Sequence, residues 1–152
     1  MQTQGRQNVK KKDYIGNKHL KKTEFINYDP YNNPLHIKRL DKKLQKVFDS
    51  DKKNGHRHSY VTFKYFDDME KHFSEMAKCL IKGTHYVMVV GDSSVSEISF
   101  ETADFLVALA ERNQFKAVDK WGYKIKNRYM RFDRKGRGGI IEIDWVIDFE
   151  KK

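Results

Sequence analysis

The sequence predicts an α/β chain with the element order helix, helix, strand, helix, strand, strand. Apolar residues recur at helical spacing in two segments, 37–48 and 66–80. A continuous apolar run, Tyr86-Val87-Met88-Val89-Val90, then stands before Gly91-Asp92-Ser93. Near the end, Ile141, Ile143, Trp145, Ile147 and Phe149 alternate with polar neighbours. With 152 residues the chain fits one domain, divided here into a basic leader, 1–34, and an α/β unit, 35–152.

The leader carries Lys10-Lys11-Lys12 and ends in a turn-rich stretch, 27–34. Ile37, Leu40, Leu44, Val47 and Phe48 then mark an amphipathic helix with lysines on its other faces. Residues 49–55 are rich in Asp, Lys, Asn and Gly and predict a mobile loop. The second helix is expected to begin with Ser59 or Thr62 as N-cap. Its stripe is Phe66, Met69, Phe73, Met76, Ala77 and Leu80, and Gly83 supplies the stop. The apolar run at 86–90 lacks alternation, which suits a strand buried on both faces of a parallel sheet.

Ser96 or Ser99 can cap the third helix, which carries Phe105, Leu106, Leu109 and Ala110. Residues 116–125 read as a strand. A strand–helix–strand step asks for a parallel crossover. The final pair of strands, joined by a long basic loop at 126–139, is expected to run antiparallel. In the last strand Glu142, Asp144 and Asp148 share the polar face. That face is wet, or covered by something outside this chain. A sheet of three strands also leaves unpaired backbone at an edge, which a partner chain could cover.

The formal net charge of +10 and a pI near 9.6 favour a polyanionic partner, although a generally basic surface also aids solubility. No apolar run is long enough to span a bilayer, and residues 1–12 lack a secretory core. The single cysteine, Cys79, is expected to pack on the second helix's stripe, and its solitude suits a reducing, cytoplasmic setting. The densest charge lies in Lys124, Lys126, Arg128, Arg131, Arg134, Lys135 and Arg137, interleaved with Tyr129, Phe132 and glycines. Cations there would hold phosphates, and aromatics would stack on unpaired bases. Carboxylates Glu142, Asp144 and Asp148 could suggest a metal-dependent nuclease, but strand alternation accounts for them, and no metal site is assigned. His56, His58, His72 and His85 lack partners at zinc spacing.

Several segments, in order, resemble one part of DNA amino-methyltransferases specific for cytosine N4 or adenine N6. They are Tyr65-Phe66-Asp67-Asp68-Met69-Glu70, then Met76-Ala77-Lys78-Cys79-Leu80-Ile81-Lys82-Gly83, then Tyr86-Val87-Met88-Val89-Val90-Gly91-Asp92-Ser93. The third helix with Ala110-Glu111-Arg112-Asn113-Gln114-Phe115, the loop segment Lys126-Asn127-Arg128-Tyr129-Met130-Arg131, and Asp144-Trp145-Val146-Ile147 continue the match. Tyr14-Ile15-Gly16-Asn17 resembles a stretch shortly after the family's catalytic motif.

The resemblance implies a partial Rossmann-like methyltransferase sheet, comprising its last strands with a terminal antiparallel one. It also implies that Gly91, Asp92, Ser93 and Ser94 edge the target-base pocket. A simple strand-to-loop turn is the other reading of those four. The family's glycine-rich cofactor loop and its Pro-Pro-Tyr type motif have no counterpart in these residues. Asp29-Pro30-Tyr31, the nearest match, has one proline and reads as a turn, so no catalytic residue is assigned.

The expectation is therefore a subunit or fragment of a restriction–modification methyltransferase, or a gene remnant. It would use S-adenosylmethionine only with a protein partner, contact DNA, and be inactive alone. The alternative is a non-catalytic nucleic-acid-binding protein that keeps the fold. Replacing Arg128, Arg131 and Arg134 by Ala should weaken DNA binding and flatten its log–log salt dependence by about 0.9 for each phosphate no longer neutralised. An unchanged slope in a fluorescence-anisotropy titration would remove the loop from the interface.

Overall fold

The computed structural model describes residues 14–18, 20–126 and 141–152. Its elements are α1 (Lys22–Phe25), a 3-10 turn (Pro30–Asn32), α2 (Lys38–Ser50), α3 (Gly55–Cys79), β1 (His85–Gly91), β2 (Ser93–Val95), β3 (Ile98–Phe100), α4 (Thr102–Arg112), β4 (Phe115–Lys124) and β5 (Ile143–Lys151). The fold is mixed α/β.

Before α2, Asp29 accepts a hydrogen bond from the Tyr31 amide at 2.9 Å and so caps the 3-10 turn, while Pro30 is buried. Asp29-Pro30-Tyr31 is a turn, as its composition predicts. Buried Asn33 then accepts from the Leu35 amide at 3.0 Å and donates to Asp41 at 3.0 Å, which fixes the start of α2.

In α2 the buried residues are Leu40, Leu44 and Val47 of the predicted stripe, while Ile37, at the N-cap, and Phe48 are half-buried. The segment between α2 and α3 is shorter than the loop expected over 49–55. It comprises residues 51–54, knit by Asp51, whose carboxylate accepts from the Lys53 amide at 2.8 Å and the Asn54 side-chain amide at 2.9 Å.

Ser59 and Thr62 are not N-caps. They lie inside α3, where Ser59 donates to the Leu44 carbonyl at 2.8 Å and Thr62 to the His58 carbonyl at 2.9 Å. Hydroxyls can satisfy themselves against nearby carbonyls within a helix as well as at its start. What sets the start is close approach. A Cβ at Gly55 would meet the Phe48 carbonyl oxygen at 2.3 Å and that of Val47 at 2.8 Å.

Phe66, Met69 and Phe73 are buried along α3. Cys79, by contrast, is exposed, which corrects the packing expectation. The stripe continues through Leu80, and successive helical residues point about 100° apart. Gly83 belongs to the turn beyond the helix, with φ +81° and its amide donating to the Lys151 carbonyl at 2.8 Å.

The three-stranded sheet has the order β1-β5-β4, with both pairings antiparallel. Strands β1 and β4 therefore point the same way, as a crossover through α4 requires, but β5 lies between them. The final pair is antiparallel as predicted. A second expectation fails: β1 is not buried on both faces. Val87 and Val89 are 56% and 59% exposed, whereas Tyr86, Met88 and Val90 pack against the core. The continuous apolar run concealed a sheet covered on one side among the described residues.

On the covered side, Phe73 of α3 meets Phe149 at 5.6 Å and Phe115 at 6.0 Å between ring centroids, and Phe66 meets Phe105 of α4 at 5.6 Å. Such aromatic pairs contribute about 0.5–1.5 kcal/mol each beyond their burial. They join helices to sheet in one core.

Strands β2 and β3 form a hairpin absent from the sequence reading, whose turn residues Ser96 and Glu97 have φ +49° and +63°. That geometry normally draws Asn-Gly. Here tertiary contacts stand beside the turn: the His58 imidazole of α3 lies 3.4 Å from the Ser96 hydroxyl, and Lys43 of α2 donates to the Ser99 carbonyl at 2.5 Å and to Glu101 at 3.1 Å.

Gly55→Ala should lower stability by about 1–3 kcal/mol through forced separation of α2 and α3, read from the urea unfolding midpoint. An unmoved midpoint would mean that the two helices separate freely.

Candidate functional site

The register brings two predicted features together. Gly91 at the end of β1 pairs with Asp144, Asp144 also pairs with Tyr123, and Lys124 pairs with Ile143. The C-terminal ends of β1 and β4 and the start of β5 therefore share one end of the sheet. Residues 91–94 leave from that end, and so do both roots of the basic loop. Ligands of open α/β sheets gather at such strand ends.

Two shallow clefts open there. One, of about 350 Å³, is lined by Asp92, Ser93, Ser94, Ser99, Ile141, Glu142 and Ile143. The other, of about 370 Å³, is lined by Gly122, Lys124, Glu142, Ile143 and Trp145. Glu142 and Ile143 border both. Lys124 and Lys126 are exposed at the loop root, and the Ile125 amide donates to the Glu142 carbonyl at 3.0 Å, which closes the stem. Arg128, Tyr129, Arg131, Arg134, Lys135 and Arg137 lie outside the described residues.

Asp92 is the structural centre of this end. Its Oδ2 accepts the Trp145 indole N–H at 2.9 Å, and its Oδ1 accepts the Ala103 amide at 3.3 Å. The carboxylate thereby binds β5 to the first turn of α4, where helix N-termini favour negative charge. Beside it, the Ser93 and Thr102 hydroxyls lie 3.1 Å apart. Both oxygens of Asp92 are thus engaged within the fold.

Gly91 serves a different need. A Cβ there would stand 2.5 Å from Ile141 Cγ2 and 3.4 Å from Asp144 Oδ1. The missing side chain gives Ile141 room to fold over the strand end. Gly122 does the same for Ile143 and Trp145, at 2.8 and 3.0 Å.

Lys120 lies over the Trp145 ring, 4.4 Å from its centroid, and pairs with Asp104 of α4. That cation–π contact holds the indole against the helix. Across β5, the Asp144 carboxylate raises the pKa of the Tyr123 phenol above its ordinary value.

The sequence reading placed Asp92, Ser93 and Ser94 at this strand end but did not bring Trp145, Thr102, Ser99 and Ile141 beside them. An indole N–H needs an acceptor when half-buried, so Trp145 on an alternating strand carried a usable signal. Thr102 and Ser99 carried none, because the hairpin that delivers them was unforeseen. Among the described residues no group of three or more His, Cys, Asp or Glu side chains is placed to hold a metal ion. Likewise, no described helix is long and apolar enough to cross a membrane.

No protein-family model matches the sequence, and no curated protein matches it. Among solved structures, it is similar to a Thermus thermophilus protein provisionally assigned as a DNA modification methylase and complexed with S-adenosyl-L-methionine. The TM-score is 0.47 at 19% identity, over 64% of this chain and 40% of that one.

Asp92→Ala should leave the Trp145 and Ala103 donors without their acceptor and lower stability by about 1–3 kcal/mol. Trp145 fluorescence should report the change, and Asp92→Asn, which keeps one acceptor oxygen, should lose less. Equal stability for both variants and the parent would remove Asp92 from its structural role.

Proposed function

We propose that the chain is a subunit or fragment of an S-adenosylmethionine-dependent DNA amino-methyltransferase of the restriction–modification type. In this reading a partner carries the cofactor loop and the catalytic motif. The supporting observation is the convergence at one sheet end. The 91–94 edge, the clefts beside it and the roots of the basic loop share one neighbourhood. A base extruded from a duplex needs a pocket for its edge and cations on the flanking backbone. Placing both within a few residues of each other satisfies that need.

The division of labour follows from the side chains. Lys124, Lys126 and the loop beyond would neutralise phosphates next to the extruded nucleotide. Ser94, Ser99 and Glu142 line the cleft and would offer polar contacts to a base edge. Asp92 and Trp145 would position the cleft rather than touch substrate, because they bond to each other. The strand end does not fit a methyl-donor site. Its Asp92 oxygens are engaged, and Ile141 occupies the space over Gly91. In this reading the partner carries the donor, and no chemical step is assigned to this chain.

The purified chain should bind duplex DNA with strong salt dependence and transfer no labelled methyl group from S-adenosylmethionine. Mixing it with a protein that bears a glycine-rich loop and a Pro-Pro-Tyr type motif, such as the product of an adjacent gene, should restore transfer. Methylation by the chain alone would overturn the proposal. DNA binding without turnover in every such mixture would favour a non-catalytic nucleic-acid-binding protein.

A further inference from the structure

Among the described residues the sheet has one helix-covered side and one open side. Along the open side, cross-strand neighbours form rows: Val89, Val146 and Trp121 in one, Val87, Asp148 and Asp119 in the next, and Gly91, Asp144 and Tyr123 on the other flank. Val87, Val89, Trp121 and Tyr123 are 56%, 59%, 47% and 50% exposed. A contiguous apolar band thus crosses three strands, and carboxylates stand on both sides of it. Large exposed bands rimmed by charge mark interaction sites.

The two edges of this sheet differ. Strand β4 carries Lys116, Lys120 and Lys124 and an irregularity between Ala117 and Asp119, the devices that discourage strand pairing. Strand β1 carries no Lys, Arg, Asp or Glu from His85 to Gly91, and no described strand pairs with its outer side. It is the unguarded edge, and its exposed valines belong to the same apolar band.

We infer that the outer edge of β1 and the open sheet face form a docking surface for a second polypeptide. This partner adds a strand to β1 and lays a helix over Val87, Val89, Val146 and Trp121. The helix chemistry follows from the rim: an apolar stripe flanked by Lys or Arg that face Asp144 and Asp119. Nucleic acid does not suit this face, because Asp119, Asp144, Asp148 and Glu150 outnumber the cations His85 and Lys116 along it, even though His85 pairs with Asp148 at 2.9 Å, while Lys124 and Lys126 are exposed at the strand end. The inference rests on the proposed partner-dependent function and locates the partner on this chain.

The test uses the full chain and the adjacent-gene protein defined above, with the double variant V87K/V89K. Both valines are exposed, so circular dichroism and the urea midpoint should match the parent. Complex formation, measured by calorimetry, should weaken at least tenfold, while DNA binding by the chain alone does not weaken, since two added lysines cannot reduce attraction to phosphate. In the parent complex, amide exchange should slow across residues 86–90 and not along β4.

Several results would overturn the inference: parent-like affinity of the variant, protection confined to other elements, protection of this face by DNA, or no complex at tens of micromolar. Self-association of the chain, abolished in V87K/V89K, would also overturn it, because the occupant would then be a second copy. A complex that protects β1 yet transfers no methyl group leaves the docking surface standing and sinks the proposed activity. Restored transfer with an unaffected variant does the reverse.

Discussion

The antiparallel seating of β5 between β1 and β4 is the constraint on which the rest of the structure depends. It fixes which strand ends meet, and so places 91–94 beside the stem of the basic loop. It also sorts the side chains of β5. Ile147 and Phe149 enter the core, while Asp144, Val146 and Asp148 face the open side. A slip of one residue would exchange the two sets. The aromatic packing of Phe73, Phe115 and Phe149 opposes such a slip, because it accepts only the apolar face.

Around that strand, Asp92 couples the sheet to α4. One carboxylate joins an indole of β5 and an amide at a helix start, so the geometry of the clefts and the docking of the helix are a single problem. Buried or half-buried polar groups with complete partners make a structure specific rather than merely stable. The glycines at 91 and 122 contribute in another way, by leaving room for Ile141, Ile143 and Trp145 to close over the sheet end.

The distribution of charge separates two surfaces. A chain of net charge +10 carries a dense run of cations in residues 124–137, yet places Asp119, Asp144, Asp148 and Glu150 on its open sheet face, beside His85 and Lys116. Phosphate is attracted to the first and repelled by the second. The proposed nucleic-acid contact draws on the first and the proposed docking of a second polypeptide on the other.

By itself the sequence determined the order of the six longer elements, the antiparallel final pair, the core stripes of α2 and α3, and the two polarities of β5, but neither α1 nor the β2–β3 hairpin. Each of these follows from a periodicity that reports local geometry. Asp92, Ser93 and Ser94 were legible for a similar reason, since a polar break after an apolar strand marks a strand end. Tertiary structure alone decided the rest. The valines of β1 look the same in a strand buried on one face as in one buried on two, because burial depends on layers the strand does not encode. Ser59 resembles a cap until the Leu44 carbonyl of α2 appears beside it, and Thr62 until its bond to the His58 carbonyl places it inside α3. The Ser96-Glu97 turn has no turn chemistry of its own; His58 of α3 reaches Ser96, and Lys43 of α2 holds the strand that follows. The pairing of Asp92 with Trp145, residues 53 apart, exists only because β5 lies beside β1, and no local pattern records which strands become neighbours.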